Sequence, residues 1–255
     1  MRFASLGSGS EGNALLIEVG QTRILMDCGF SLSETTNRLS RLQLTPEQLH
    51  GIVVTHEHSD HIGGVARLAK KYSLPVYLTH GTLRSQLAVF SDFPLLNEIS
   101  SHLPFSIGEI NIHPFPVPHD ADEPVQYVFS DGTKKLGVLT DSGSSTPHIE
   151  SMLNRCDALI LECNHDIEML KNGKYPQHLK KRVGGKFGHL NNQEAAALLA
   201  RLDNSKLQYL VAAHLSQQNN KRELAIHALI NALAWPEEKI LIATQDEGVS
   251  WCEIS

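Results

Sequence analysis

Apolar positions along this chain fall into short bursts with two distinct rhythms. ALLIEV (14–19) and TRILMD (22–27) are strand-like runs separated only by Gly20 and Gln21, which predicts a hairpin. VQYVFSDGTKKLGVLTD (125–141) predicts a second hairpin, with two alternating runs around Asp131-Gly132. GIVVT (51–55), PVYLT (75–79), CDALILE (156–162) and LQYLVAAH (207–214) have the continuous apolar character of buried strands. INIHPFPV (110–117) is strand-like but broken by prolines, and EKILIAT (238–244) reads as the strand that closes the chain. Helical spacing governs GGVARLAKKY (63–72), NNQEAAALLARL (191–202) and NNKRELAIHALINAL (219–233). A further short helix, capped by Ser31 or Ser33, runs through Leu42.

Strands therefore come first as meandering pairs, with helices interspersed. The pattern is mixed α/β, with about a dozen strands and without the regular βαβ alternation of a doubly wound sheet. No Gly-, Ser- or Pro-rich linker divides the chain, so residues 1–255 are expected to form a single domain.

Composition narrows the class. Hydrophobic residues make up 41% of the 255 and charged residues 20%, as in a soluble globular chain with a real core. A net charge of −6 excludes a general nucleic-acid coating protein, so any polyanion needs a local basic patch. No apolar run approaches the roughly 18–20 residues that span a bilayer. The N-terminal MRFASLGSGSEGN lacks the apolar core of a secretory signal. Cys28, Cys156, Cys163 and Cys252 form no CxxC pair and read as reduced core thiols, which predicts a cytoplasmic protein.

One stretch stands apart. THEHSDH (55–61) packs three histidines and two carboxylates directly after the GIVVT strand. Side chains alternate along a strand, so His56 and His58 point the same way, and a turn swings Asp60 and His61 around from the following helix start. Imidazole and carboxylate donors suit Zn, Mn or Fe. Four donors crowded this tightly suggest two ions side by side, each needing ligands from elsewhere. His119, Asp141 and His214 each lie at the C-terminal end of a strand-like run, and the two oxygens of Asp141 could bridge two ions.

THEHSDHIGG resembles the signature of the metallo-β-lactamase-fold hydrolases. LMDCG with Asp27, VPHD with His119, LTDSG with Asp141 and AAHLS with His214 follow in the family's order. The resemblance extends from Gly7 to Thr244. More narrowly, LGSGSEGNALLIE, ECNHDIEMLKNGKYP, GHLNNQEAA and AAHLSQQNN resemble the WalJ/YycJ-type proteins of bacteria, a branch associated with 5′-to-3′ exonuclease action on DNA. The resemblance implies a four-layer αβ/βα sandwich with a dinuclear site at one edge. It implies His56, His58 and His119 on one divalent ion, Asp60, His61 and His214 on the other, Asp141 bridging, and Asp27 supporting the ligand turn from behind. An aspartate at position 141, where many zinc β-lactamases offer a cysteine nearby, favours the phosphodiesterase, nuclease and thioesterase branches.

The implied chemistry is hydrolysis by a hydroxide bridging two cations about 3.5–4 Å apart. Asp60 could accept a hydrogen bond from that nucleophile. His165 and His189 are the candidates for protonating the leaving group, and Glu162 could orient one of them. The stretch 169–189 carries Lys171, Lys174, Lys180, Lys181, Arg182 and Lys186 with no acid. Between two site motifs it could hold a phosphate backbone, with Lys180, Lys181 and Arg182 as its centre. Tyr175 could stack on an unpaired base. The SGSEGN loop (8–13) could cradle a phosphate, with Ser10 and Asn13 as the contacts. Single-stranded or 5′-ended DNA is the expected partner. A small-molecule hydrolase of cyclic phosphodiesters, thioesters or lactones is the alternative, and a non-catalytic regulatory relative is disfavoured by the complete ligand set.

Overall fold

The computed structural model describes residues 1–90 and 92–255. Strands β1 (Arg2–Gly7), β2 (Ala14–Val19), β3 (Thr22–Met26), β4 (Gly51–Val53), β5 (Val76–Thr79) and β6 (Leu96–Ile99) lie side by side in one sheet. A second sheet holds β7 (Phe105–Ile107), β8 (Ile110–Pro116), β9 (Val125–Ser130), β10 (Lys135–Leu139), β11 (Ala158–Glu162), β12 (Tyr209–Ala213) and β13 (Ile240–Ile242). The last strand, β14 (Val249–Glu253), returns to the first sheet and pairs antiparallel with β1. Strands β3 to β6 run parallel to one another, as do β10 to β13.

The helices are α1 (Leu32–Arg41), α2 (Ser59–Ile62), α3 (Val65–Tyr72), α4 (His80–Ser85), α5 (Leu87–Phe90), α6 (Pro147–Leu153), α7 (Ile167–Asn172), α8 (Gln177–Val183), α9 (Asn192–Arg201) and α10 (Arg222–Leu233). Ile17, Ile24 and Val53 of the first sheet pack against Ile112, Tyr127, Val138 and Ile160 of the second, forming the seam of the sandwich. On the outer face of the first sheet, Leu16, Leu25 and Ile52 meet Leu39 of α1 and Leu68 of α3. On the outer face of the second, Leu159, Leu161 and Leu210 meet Leu153 of α6, Leu198 of α9 and Leu229 of α10. The result is the expected four layers, helix–sheet–sheet–helix. Successive residues of β2 and β11 bury opposite faces. That two-sided burial is why their sequences are continuous apolar runs rather than alternating ones.

Both predicted hairpins are present. Gly20 closes the first at φ +54°, a left-handed conformation that needs no Cβ, with Val19 opposite Thr22. In the second, the Asp131 carboxylate accepts from the amides of Thr133 and Lys134. Ser31, not Ser33, caps α1 by accepting from the Glu34 amide.

Two expectations need correction. The prolines do not break 110–117: β8 runs through Pro114 and Pro116, which lie beyond its pairing with β7, where the strand is an edge and a missing N–H costs no ladder bond. Residues 238–244 do not close the chain, because β14 follows them. The basic stretch 169–189, to which the sequence analysis assigned no element, carries most of α7 and all of α8. The sequence reading also passed over β6, β7 and α4 to α8, which are short and bury little, so their apolar periodicity is weak.

Candidate metal centre

Carboxyl ends of strands from both sheets meet at one edge of the sandwich. Asp27 follows β3, the THEHSDH turn follows β4, His119 follows β8, Asp141 follows β10, Glu162 ends β11 and His214 follows β12. Asp27, Asp141 and His214 have φ of 60°, 51° and 55°. Left-handed backbone at a non-glycine residue costs of order 1–3 kcal/mol and persists where the surroundings enforce it. Three such residues at three strand ends concentrate left-handed backbone at this edge. Asp and His tolerate this conformation better than bulky or branched residues.

The hydrogen bonds fix which ring nitrogens carry protons. His119 Nδ1 faces the Gly188 carbonyl at 3.1 Å, and His61 Nδ1 faces Asp27 Oδ2 at 2.8 Å. His214 Nδ1 faces Glu162 Oε1 at 3.0 Å. All three partners only accept, so each Nδ1 holds its proton, and each Nε2 presents a lone pair whenever its ring is neutral. Thr55 donates its hydroxyl to Asp27 Oδ2, which leaves its oxygen to accept from His56 Nδ1 at 2.9 Å. His56 Nε2 is thus also bare.

The bare nitrogens converge. His58 Nδ1 lies 3.0 Å from His56 Nε2 and 3.2 Å from His119 Nε2. Nitrogens placed tetrahedrally 2.0–2.1 Å from one zinc ion stand about 3.3 Å apart. A second set, Asp60, His61 and His214, brings its donor atoms together too, with Asp60 Oδ2 3.4 Å from His61 Nε2 and 3.7 Å from His214 Nε2. Asp141 Oδ2 reaches within 3.2 Å of His61 Nε2, and His56, His61 and Asp141 form a third close group that joins the two sets. Asp141 Oδ2 and His214 Nε2 are buried without a hydrogen-bond partner. Buried polar atoms without partners are costly, and a cation would satisfy both. The donor set therefore fits divalent metal ions.

The electrostatics agree. Burial holds His56 and His119 in the neutral, ligating form. Burial also pushes His214 down, but Asp141, Asp60 and Glu162 outweigh it and raise the ring to about 10. His61 is raised against burial by Asp141 and Asp27. Asp60 and Asp141 are pushed up by burial, yet His61 and His214 hold them well below the usual carboxylate range. The cluster demands positive charge, supplied by protons or by metal ions. Glu162 sits close enough to be a ligand, but its oxygens are already engaged. Oε1 accepts from His189 Nδ1, His214 Nδ1 and the Asp141 amide; Oε2 accepts from the Ser142 and Leu190 amides. Burial raises Glu162, and the neighbouring histidines more than offset this, lowering it to about 2. It is an anchor for ligands.

A cavity of about 330 Å³ opens over the cluster. His58, Asp60, Asp141, His189 and His214 line it, with Ser10, Tyr175 and Arg182 among the other walls. Arg182 is ion-paired with Asp120 there. Asn13 does not reach the cavity. It is buried behind Asp60, donating to the Asp60 carbonyl and carboxylate and accepting from Ser8 and the Gly9 amide. His165 also lies apart, buried beside a separate hollow that Lys180 and Lys181 share. The sequence reading missed Thr55, which links Asp27 to His56, and Asp120, which anchors Arg182. Thr55 was visible as the first letter of the signature, but its role depends on a contact 28 residues away.

Residues 22–214 match the model of the beta-lactamase superfamily domain. Exodeoxyribonuclease YycJ of Bacillus anthracis is 36% identical over 231 residues, 88% of this chain and 86% of the relative. Exodeoxyribonuclease WalJ of Streptococcus pneumoniae is 33% identical over 241 residues, 91% of this chain and 88% of the relative. The metallo-beta-lactamase fold protein YhfI from Bacillus subtilis superposes with a TM-score of 0.77 at 18% identity over 99% of both chains, a likeness of fold.

Proposed function

This chain belongs to the beta-lactamase superfamily, in the branch of YycJ and WalJ, and we propose that it is a two-metal exodeoxyribonuclease acting from 5′ ends. The relatives' activity supports the reaction class, and the observation that carries it to this molecule is the placement of Arg182. Its guanidinium stands at the wall of the metal cavity, fixed by Asp120, where its N–H fork matches the oxygens of a phosphate. A cavity of about 330 Å³ takes roughly one nucleotide, as end-wise cleavage requires.

In this reading His56, His58 and His119 would hold one ion and Asp60, His61 and His214 the other, with Asp141 available to both. Zn, Mn and Fe all suit such donors. Divalent ions bound there would supply hydroxide at neutral pH and neutralise charge on the phosphate. Asp60 orients the attacking water by accepting its hydrogen bond. Arg182 and Ser10 position the phosphate, and Tyr175 offers its ring to the terminal base. His189, fixed through Nδ1 on Glu162, turns its other nitrogen to the cavity, where it can take the proton released by the attacking water and pass it to the leaving alkoxide. His165 has no part in this step. The four unpaired, buried cysteines suit a cytoplasmic setting.

Hydrolysis of a 5′-phosphorylated, end-labelled single-stranded oligonucleotide with Mn or Zn added tests this directly, with Asp141→Ala as the blank. Stepwise loss from the 5′ end is expected. Cleavage of a chromogenic phosphodiester without any cleavage of DNA would instead identify a small-molecule hydrolase.

A further inference from the structure

Helix α8 is a wall with two sides. Leu179, Arg182 and Val183 line the metal cavity, while Lys180, Lys181 and Gly184 line a second hollow of about 340 Å³. These sets are the two faces that helical spacing separates. The second hollow also receives Lys171 and His165. No carboxylate lines it, in a chain whose net charge is −6. Glu168 only grazes Lys171, at 3.8 Å, and Lys181 has no ionic partner among the described residues.

The floor of the hollow is unusual. His165 is 2% exposed, yet its Nε2 has no hydrogen-bond partner among the described residues. That nitrogen faces Gly184, where an added Cβ would come within 3.9 Å of it. Asn164 donates its amide to the His214 carbonyl, so its Oδ1 is left to face His165 Nδ1 at 3.3 Å and take that proton. A bare imidazole nitrogen on a nearly buried ring, beside a hollow lined by Lys171, Lys180 and Lys181, is a poor feature for packing. It is a good one for an anion that brings a proton, since the negative charge offsets the cost of burying an imidazolium.

We infer that this hollow is a second phosphate subsite, gripping a phosphate of the bound strand through His165, Lys180 and Lys181 while the metal cavity holds the scissile one. The nucleic-acid source of that phosphate rests on the nuclease reading; the site itself does not. The phosphate is either the 5′-terminal group or an internucleotide one. Lysines supply point charges and the histidine a shared proton, a combination that recognises phosphate without reading sequence.

Inorganic phosphate tests the site alone. It should shift the His165 ring nitrogen resonances, identified by their loss in His165→Gln. No shift at millimolar phosphate overturns the subsite. Strand binding is then read by anisotropy with an uncleavable phosphorothioate oligonucleotide. Lys181→Gln, folded by the criterion of an unchanged Tm, should weaken binding about five- to tenfold at low salt and flatten the salt slope by about one. Loss restricted to 5′-phosphorylated strands identifies the terminal phosphate; equal loss with 5′-hydroxyl strands identifies an internucleotide one. Unchanged binding for both overturns the strand contact. If the wild-type protein ignores DNA while phosphate still shifts His165, the subsite stands and the nuclease reading falls.

Discussion

Glu162 Oε1 accepts from Nδ1 of both His189 and His214, at 2.8 and 3.0 Å, so one buried carboxylate orients rings on two sides of the cavity. Glu162→Gln replaces an acceptor-only group with one that must present an N–H. Partners of this kind typically contribute ten- to a hundredfold to metal affinity. Lower occupancy after dialysis is expected, measured by elemental analysis, together with a fall in kcat. Full occupancy with unchanged kcat would remove the anchoring role.

Asp27→Asn tests the opposite side of the cluster. Asp27 Oδ1 accepts from the Thr55 amide, and Oδ2 accepts from the Thr55 hydroxyl and His61 Nδ1. An amide nitrogen at Oδ2 forces the proton of His61 onto Nε2 and blocks that lone pair. Asn tolerates the left-handed backbone at this position, so the fold should survive. The expected result is loss of one ion of two with only a small change in Tm.

Metal affinity should rise with pH. His214 is raised to about 10 and His61 is also raised, so near neutrality both rings hold protons that an entering ion must displace. Affinity should therefore climb with pH until it levels off near pH 10. Titration calorimetry in two buffers of different ionisation enthalpy should show proton release at pH 7. A flat affinity below pH 10 contradicts the raised titration of these two rings.

Arg182→Ala should raise KM for oligonucleotides about tenfold, with a smaller effect on kcat. Asp120→Asn should move KM in the same direction but less, because the guanidinium remains and only its tether weakens. Equal kinetics for both variants and wild type would show that Arg182 faces solvent without touching substrate.

Gly29→Ala tests the backbone frame. A Cβ there would overlap the Asp60 carbonyl, and the Asn13 amide would crowd it at 2.9 Å. Gly29 donates to Asn13, and Asn13 in turn donates to that same carbonyl. Overpacking of this kind costs about 1–3 kcal/mol. The lowered Tm should be accompanied by a loss of metal greater than for Asp27→Asn.

The sequence made the strands around the site legible because they are buried on both faces. GIVVT, CDALILE and LQYLVAAH leave no doubt about an apolar run. The metal residues were legible because THEHSDH concentrates donors that a solvated turn has no need of. What stayed hidden depends on distance along the chain. Asn13 reads as a glycine-rich loop residue, and only folding puts it behind Asp60, 47 positions later. His165 reads as a site histidine because of its neighbours, but α7 and α8 fold so that it faces the other hollow. The edge strands β6, β7 and β14 hold themselves by pairing rather than by apolar content, which leaves little pattern to read.

The chain passes from the first sheet to the second only between β6 and β7, and returns only between β13 and β14. His56, His58, Asp60 and His61 belong to the first sheet, whereas His119, Asp141 and His214 belong to the second. Ions held between them act as a rivet across the seam, independent of the two covalent crossings. A chain nicked between β6 and β7 would yield two pieces that meet across the apolar seam, with bound metal tightening their association, so the same constellation could be used as a chelator-weakened coupler between separately expressed parts.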